Sequence, residues 1–354
     1  MDQPPAPPHR HGRQRRLEHR PRCRTAHPPP RLDLRPRGGG PMSTGRRLAV
    51  RREGAVMTVT FDNPPRHFFD EEMSVELDGL TRALRRDPSV RVVVFTGTGT
   101  SFLTHFDVPS LARGASSVPL PLGFGAGRLV AAVAGAAVRG RRVDRALRKT
   151  IARHALFLAR TTAALDRLTR LDKVVVAEIN GLCLGMGCIL ALACDIRVIA
   201  DDVLIGLPES DLEILAGAGG TQRLTRTVGT GAALDLLLRG HWITAREAAR
   251  LSLVQHVHPR ERLHDRVLEL CEGLARPSAV VTREIKRAVH ETSTRPSRAA
   301  LCRETAGTAR TLSTRAAARE LARYERYLAA HEPLTDEVIL RGWTQGVDQE
   351  ERCG

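Results

Sequence analysis

From residue 56 onward, apolar runs alternate with amphipathic stretches in a way that predicts an α/β domain. The apolar residues 56–61 have the composition of a strand, and the turn residues DNPP follow at 62–65. Helical periodicity covers 70–86, and the run RVVVF at 91–95 predicts a second, buried strand that ends in a glycine turn. This order of strand, helix and strand is typical of a βαβ unit with parallel strands.

The alternation returns at 173–179, after a region at 111–170 with largely helical character. The apolar stretch 118–138 within that region is broken by prolines and glycines, which argues against a membrane span. Further strands are predicted at 195–200 and 203–207. Helices are predicted at 219–228, 231–239, 244–250, 260–275, 278–291 and within 298–330.

Composition divides the chain into regions of different character. The Pro/Arg-rich residues 1–45 cannot bury a core, so we expect a disordered tail there. The main domain is expected at 46–290, with a basic insertion at about 111–160. A C-terminal helical region should follow at 291–335, and a second tail at 336–354.

The formal net charge of +16 is concentrated in two places. Residues 1–56 have an excess of ten basic over acidic residues, and residues 111–160 an excess of nine, so the remainder is close to neutral. The seven cysteines include no CxxC pair or zinc-ligand spacing, which indicates a reducing compartment and no metal site. Because the N-terminus has no apolar signal region either, we expect a cytoplasmic protein.

A glycine-rich turn between a strand and a helix is the first candidate for chemistry. Gly181 and the run Gly185-Met186-Gly187 allow a tight bend, and the following helix N-terminus favours an anion. That anion is a phosphate or a developing oxyanion, since the spacing matches neither a dinucleotide fingerprint nor a P-loop. A glycine-packed contact without any ligand is the structural alternative.

The second candidate is Glu209 in Leu207-Pro208-Glu209, directly after an apolar strand. Burial there would raise the pKa of the carboxyl and suit it to proton transfer near neutral pH, whereas an exposed loop glutamate would have no such role. Shortly afterwards, the run GAGGT at 217–221 predicts a second cluster of backbone N–H groups at a helix start.

Ordered blocks of the sequence resemble the crotonases, the enoyl-CoA hydratase/isomerase superfamily. These blocks are 61–65 (FDNPP), 91–108 (RVVVFTGTGTSFLTHFDV), 173–229 and 240–257 (GHWITAREAARLSLVQHV). The resemblance implies a crotonase-like α/β fold, a superhelix of repeated ββα units with a C-terminal helical oligomerisation region. It also implies an enzyme that binds an acyl-CoA thioester and stabilises its enolate with backbone N–H groups.

Transferred by position, the resemblance places oxyanion donors at the backbone N–H groups of Met186 and Thr104. It makes Glu209 the general acid/base and gives the N–H of Gly217 the position that orients water in the hydratases. In the loop FLTHFD, Thr104 and His105 replace the small residues of the family's FxAGxD pattern. His105 is then either a packed or solvent-facing loop histidine or a catalytic group.

The hydratases of this family use a second glutamate, and Ile189 occupies its position. With Glu209 alone, moving a proton between carbons is the easier task, which favours a double-bond isomerase over a standard hydratase. Asp211 and Glu213 lie nearby as possible substitutes or as exposed turn acids. Substrate contacts are implied for Arg66, Asp107, Gly185 and Ile189, with Arg66 in the position of a basic CoA-binding residue.

The resemblance implies no cofactor beyond the coenzyme A of the substrate, and a homotrimer or hexamer. The segment between Asp107 and Lys173 is longer than usual in the family, which indicates a lid for a large acyl group or a surface for a membrane or an acyl carrier protein. The alternative function is a catalytically weak crotonase-like protein that binds nucleic acid or a partner through its basic segments. Those segments contain no aromatic interleaving and no recognised nucleic-acid motif.

Overall fold

The structure is a computed structural model that describes residues 43–44, 47–116, 122–147, 150, 152–277, 279–293, 306, 309 and 312–344. Nearly all of the tail predicted at 1–45, most of 298–311 and the residues after 344 lie outside this range.

The strands, numbered in chain order, are β1 (Ser43–Thr44), β2 (Leu48–Glu53), β3 (Val56–Phe61), β4 (Val92–Gly97), β5 (Ser101–Leu103), β6 (Val174–Ile179), β7 (Leu182–Leu184), β8 (Ile196–Ala200), β9 (Leu204–Gly206), β10 (Trp242–Thr244) and β11 (His256–His258). The helices are α1 (Glu71–Leu84), α2 (Val108–Ser116), α3 (Phe124–Ala137), α4 (Arg141–Leu147), α5 (Arg153–Thr169), α6 (Met186–Ala193), α7 (Gly220–Val228), α8 (Thr230–Arg239), α9 (Ala245–Arg250), α10 (Arg260–Leu274), α11 (Ala279–Ser293), α12 (Arg315–Ala329) and α13 (Asp336–Thr344), with a 3-10 turn at Pro208–Leu212.

Two sheets form the centre of the described part of the chain. The larger has the order β1-β2-β3-β4-β6-β8-β11, and its pairs from β3 to β11 are parallel. Valines pair across it, with Val56 opposite Val92 and Val92 opposite Val174. Such continuous apolar strands are buried on both faces, as in other parallel sheets.

The smaller sheet has the order β10-β9-β7-β5 and is built from three-residue strands. Each of β4, β6 and β8 is followed at once by one of its short parallel strands and then by a helix or helical turn. This ββα repetition confirms the predicted fold class. It also brings the ends of β5, β7 and β9 side by side, because β7 pairs with both of its neighbours in this sheet.

The C-terminal helices form a second apolar core against the end of the smaller sheet. Tyr324 on α12 and Trp343 on α13 are fully buried there, together with Phe68 and Leu184. The prediction of a tail beginning at residue 336 is therefore wrong for 336–344. Its sequence, DEVILRGWT, starts with acidic residues and places Ile339 and Trp343 four residues apart on one buried face.

The insertion predicted at about 111–160 contains the end of α2, all of α3 and α4 and the first half of α5. Arg160 is buried in α5 and donates to Asp144 in α4 at 2.7 Å. The hydroxyls of Ser74 and Thr161 lie 2.9 Å apart and join α1 to α5. No helix in the described part of the chain is both long and apolar enough to cross a bilayer.

Candidate active site

Three of the predicted site residues follow directly after neighbouring short strands. Thr104 follows β5, Gly185 follows β7, and Glu209 follows β9 by way of two residues. Since β7 lies between β9 and β5, the fold brings these positions to one edge of the smaller sheet. The sequence separation between them is large, and only the ββα repetition makes them neighbours.

Gly185 needs to be glycine for two reasons. Its φ of +51° is rarely adopted by other residues. A Cβ atom at this position would also lie 3.0 Å from Oε1 of Glu209 and 3.4 Å from Cβ of His105. The Glu209 carboxylate and the loop after β5 therefore both lie close to Gly185.

Met186 is the first residue of α6. Its backbone N–H therefore has no acceptor within the helix, and the N-terminal end of the helix carries a partial positive charge. The helix is apolar and every residue in it is buried, so little water screens that charge. This N–H group suits a developing negative charge better than a solvent-exposed one would.

Glu209 lies in the 3-10 turn and has a relative exposure of only 2%. Neither carboxylate oxygen has a hydrogen-bond partner on another residue of the described part of the chain. Burial raises the pKa of this carboxyl to about 8, against a smaller opposing effect of its own backbone N–H. A carboxyl with such a pKa can accept and return a proton near neutral pH.

Thr104 is buried, and its backbone N–H donates to the carbonyl of His67 at 3.3 Å. Its hydroxyl donates to the carbonyl of Arg66 at 2.8 Å. His67 itself has a φ of +50°, and the adjoining Phe69 pairs with the 105–107 loop through backbone hydrogen bonds. The predicted donor at Thr104 is therefore engaged by the segment 66–69 in this structure.

His105 is enclosed by aromatic side chains. Its ring stacks on Phe68 with centroids 4.2 Å apart, and its Nε2 lies 3.2 Å from the hydroxyl of Tyr324. Nδ1 lies 2.6 Å from the carbonyl of Phe106, which can only accept, so Nδ1 carries the hydrogen and Nε2 accepts from Tyr324. Burial lowers the pKa of His105 to about 4. Of the two interpretations of His105, the structure agrees with the packed histidine.

Ile189 is buried on α6 and packs beneath the glycine-rich turn that precedes α7. A Cβ at Gly220 would lie 2.8 Å from its Cγ1, so the fit there is close. Gly217 is buried at the start of the same turn, where Ala218 and Gly219 both have positive φ. This turn lies at 217–221, where the sequence analysis predicted a second cluster of backbone N–H groups at a helix start.

The nearby acids Asp211 and Glu213 do not share the burial of Glu209. Glu213 is exposed. A Cβ at Gly240 would lie 2.8 Å from Oδ1 of Asp211, so that carboxylate faces the turn after α8. Glu209 is therefore the fully buried carboxyl of this turn.

The other two predicted substrate contacts lie close to the loop after β5. Arg66 is half-buried, with its guanidinium 5.9 Å from the centre of the Phe68 ring. Asp107 precedes α2 and accepts a hydrogen bond from the Ser110 backbone N–H, as a helix N-cap does. Burial raises the pKa of Asp107. Its observed contacts are those of a helix cap.

Sequence reasoning did not find Tyr324 or Trp343 as neighbours of the site. Tyr324 is 219 residues away from His105 along the chain. A single sequence contains no signal that connects the two, because the contact depends on the return of α12 over the smaller sheet.

Comparison with known proteins places the chain in a family. The sequence model described as Enoyl-CoA hydratase/isomerase matches residues 130–327. The chain is 30% identical over 258 residues to 2,3-dehydroadipyl-CoA hydratase of Escherichia coli K12, covering 73% of this chain and 87% of that protein. It is 40% identical over 134 residues to the putative enoyl-CoA hydratase/isomerase YngF of Bacillus subtilis, a match that spans 38% of this chain and half of that protein.

Among solved structures, a putative enoyl-CoA hydratase from Streptomyces avermitilis superimposes with a TM-score of 0.67 at 21% identity, over 85% of this chain and 96% of that one. At this identity the likeness concerns the fold alone. The ββα repeats, the family match and the 30% identity to a relative that is covered over 87% of its length agree, and the chain belongs to the enoyl-CoA hydratase/isomerase family with a crotonase fold.

Proposed function

We propose that the protein moves protons on an acyl-CoA thioester through an enolate, with Glu209 as the general acid/base. The observation that carries this proposal is the carboxyl of Glu209, which is buried, has no hydrogen-bond partner on any other described residue, and lies next to the Gly185 turn at the start of α6. The backbone N–H groups of Met186 and Thr104 would hold the thioester oxygen. Donors fixed where charge develops are usually the largest contribution to such catalysis.

A double-bond isomerisation uses this arrangement most directly. Glu209 as carboxylate would take a proton from C2 of a 3-enoyl thioester, and the electrons would move onto the thioester oxygen as a dienolate. The protonated Glu209 would then return the proton to C4, leaving a 2-enoyl thioester. One group with a pKa of about 8 performs both steps.

Ile189 supports isomerisation over hydration, since addition of water benefits from a second acid to position and activate the water. Ile189 cannot titrate, and its close packing against Gly220 leaves little room for water at that point. The named relative from E. coli is a hydratase. We therefore propose an activity that differs from that relative in the reaction and shares the acyl-CoA substrate class.

Substrate binding would have to release the Thr104 N–H from the carbonyl of His67. We propose that these two loop segments rearrange when the substrate binds, and that Arg66, in the same segment as His67, then meets a CoA phosphate. We expect the Thr104 amide to change its hydrogen-exchange protection when acyl-CoA binds. The chemistry needs no metal or cofactor beyond the coenzyme A that the substrate brings.

A homotrimer or hexamer remains part of the proposal. Val281, Ile285 and Val289 lie four residues apart on α11 and are all exposed, so they form an apolar stripe that association would cover. Light scattering of the purified chain measures the oligomeric state directly.

The test offers the purified protein 2-enoyl-CoA and 3-enoyl-CoA thioesters of several chain lengths and identifies the products. We expect conversion of 3-enoyl into 2-enoyl thioesters to exceed hydration. Glu209→Gln should lower kcat by about 10²–10⁴-fold. Glu213→Gln, which alters an exposed carboxylate of the same turn, is the matched control and should retain activity. Hydration as the main reaction, or full isomerase activity in Glu209→Gln, would refute the proposal.

A further inference from the structure

Helix α3 of the insertion has its small residues buried and its large apolar residues exposed. Gly127, Ala131 and Ala134 are buried on the inner side of the helix, where Gly127 lies against the backbone of Ala306. Ala134 and Val138 pack there with Leu156 and Ala159 of α5. Because these buried residues are small, the helix can dock closely without using its bulky side chains.

The opposite side carries what we call the α3 face, formed by Leu129, Val130 and Val133, with Phe124 at the helix start. Leu129 is 66% exposed and Val133 is 59% exposed. A helix of a water-soluble domain normally turns such residues inward. Exposure of several of them together, on a helix with no charged residue but Arg128, marks an interaction surface.

The charges in the chain segment that carries the α3 face have one sign. Arg128 on the helix, and Arg139 and Arg142 just after it, are all exposed. From residue 108 to residue 143 the chain contains no Asp or Glu. The next acid, Asp144, is buried and paired with Arg160 at 2.7 Å, so it does not offset this charge at the surface.

Exposed apolar side chains combined with arginines match one kind of surface particularly well. An anionic phospholipid bilayer accepts apolar side chains below its headgroups and attracts cations at the headgroup level. A polyanion such as nucleic acid would use the arginines and leave the leucine and valines in water. We propose that the α3 face docks the protein onto anionic phospholipid membranes, as a peripheral contact that does not span the bilayer.

The experiment is vesicle co-sedimentation of the full chain. Phosphatidylcholine vesicles are compared with vesicles that also contain phosphatidylglycerol, at low and physiological salt. We expect binding to the anionic vesicles only, weaker at higher salt because the headgroup charge is screened. Leu129→Ser/Val133→Ser should lower the partition coefficient by about tenfold or more, since it removes two inserting side chains. Arg139→Gln/Arg142→Gln should weaken binding chiefly at low salt.

A matched control uses exposed leucines elsewhere. Leu234 and Leu238 on α8 are 52% and 75% exposed, but Asp235 lies between them. Leu234→Ser/Leu238→Ser should bind vesicles like the unaltered chain. Thermal unfolding of each variant confirms that it is folded, as expected for exposed substitutions.

Three results would overturn the proposal. Equal binding by Leu129→Ser/Val133→Ser and the unaltered chain would assign membrane binding to another segment, such as the Arg-rich residues 1–42. If the unaltered chain does not bind anionic vesicles, the proposed membrane contact does not exist. A smaller oligomer for Leu129→Ser/Val133→Ser by light scattering, with vesicle binding unchanged, would assign the α3 face to contacts between copies of the chain. None of these outcomes depends on the proposed reaction at Glu209.

Discussion

At the scale of single residues, the site contains two buried titratable groups that both favour their neutral forms. Burial raises the pKa of Glu209 to about 8 and lowers the pKa of His105 to about 4. His105 is stabilised as a neutral ring by the Phe106 carbonyl and the Tyr324 hydroxyl. Among the other residues that the structure describes, none forms a hydrogen bond with the Glu209 carboxylate. The histidine is therefore held in place, whereas the glutamate is available for a proton transfer.

These shifts predict how the free energy of unfolding depends on pH. Glu209 keeps its proton in the folded state between pH 4.5 and about 8 and loses it in the unfolded state, so stability falls as pH rises through that window. His105 has the opposite effect, and stability rises between about 4 and 6.5. Above pH 6.5 only the effect of Glu209 remains of the two.

The prediction is tested by chemical denaturation of the unaltered chain and of Glu209→Gln at several pH values from 6.5 to 8. The stability of the unaltered chain relative to the variant should fall with pH, by at most about 1.4 kcal/mol per pH unit. Glu213→Gln serves as the control, because its carboxylate is exposed. A constant difference between the unaltered chain and Glu209→Gln over this range would mean that Glu209 is already ionised in the folded protein.

At the scale of secondary-structure elements, the C-terminal helices pack against the loop that contains Thr104 and His105. Trp343 on α13 is fully buried, 4.7 Å from the ring of Tyr324 and 5.5 Å from that of His105 between centroids. His105 is the residue after Thr104. A contact chain therefore runs from α13 through α12 to the loop that would hold the thioester oxygen.

Truncation of Trp343 should consequently affect both stability and activity. We expect Trp343→Ala to lower the free energy of unfolding by about 3–5 kcal/mol, because it opens a large cavity in the second apolar core. It should also lower kcat, since the packing that positions the His105 loop is lost. Trp343→Phe, which keeps most of the volume and removes an indole N–H that has no acceptor within the described ranges, should be much milder.

Denaturation curves and isomerase kinetics of both variants distinguish the two effects. Recovery of kcat in Trp343→Phe would support a positioning role. Full kcat in Trp343→Ala, measured where that variant is still folded, would show that α13 serves stability alone.

The sequence predicted those elements whose periodicity is long enough to recognise. Strands such as 56–61 and helices such as those at 219–228 and 260–275 match the structure within one or two residues. The prediction omitted β2, whose alternation is obscured by the arginines Arg51 and Arg52. It also missed short strands such as β10 and β11, because three residues contain no measurable period.

In the candidate site, the sequence predicted the features that depend only on residues close together in the chain. The glycine turn at 185–187 and the glutamate after an apolar strand both suit the roles proposed for them, and both are recognisable from neighbouring residues in the sequence. Two other features of the site depend on tertiary contacts, and no local sequence pattern predicts them. These are the hydrogen bond from the Thr104 N–H to His67 and the packing of aromatic side chains around His105.

At the scale of the whole molecule, most of the positive charge and the candidate active-site residues lie in different segments of the sequence. The excess in residues 1–56 and in the insertion accounts for more than the net charge of +16, so the body that carries Glu209 is slightly acidic overall. The first 42 residues lie outside the described part, but Leu48–Glu53 is a strand of the larger sheet. A deletion of residues 1–42 leaves every described residue in place, whereas we expect a deletion that extends into Leu48–Glu53 to damage the sheet.

This division predicts the effects of two N-terminal deletions. Removal of residues 1–42 should leave acyl-CoA turnover unchanged, because all eight predicted site residues lie beyond it. It should abolish any salt-sensitive binding of DNA or RNA, since arginine–phosphate contacts release counterions and weaken steeply with salt.

Removal of residues 1–56 should instead destabilise the protein, because Leu48 and Val50 of β2 are buried against the rest of the sheet. Turnover assays, salt-dependent binding curves and thermal unfolding measure the three effects. Nucleic-acid binding that survives the shorter deletion, together with an absence of turnover in the intact chain, would favour the alternative in which this crotonase fold serves as a binding protein.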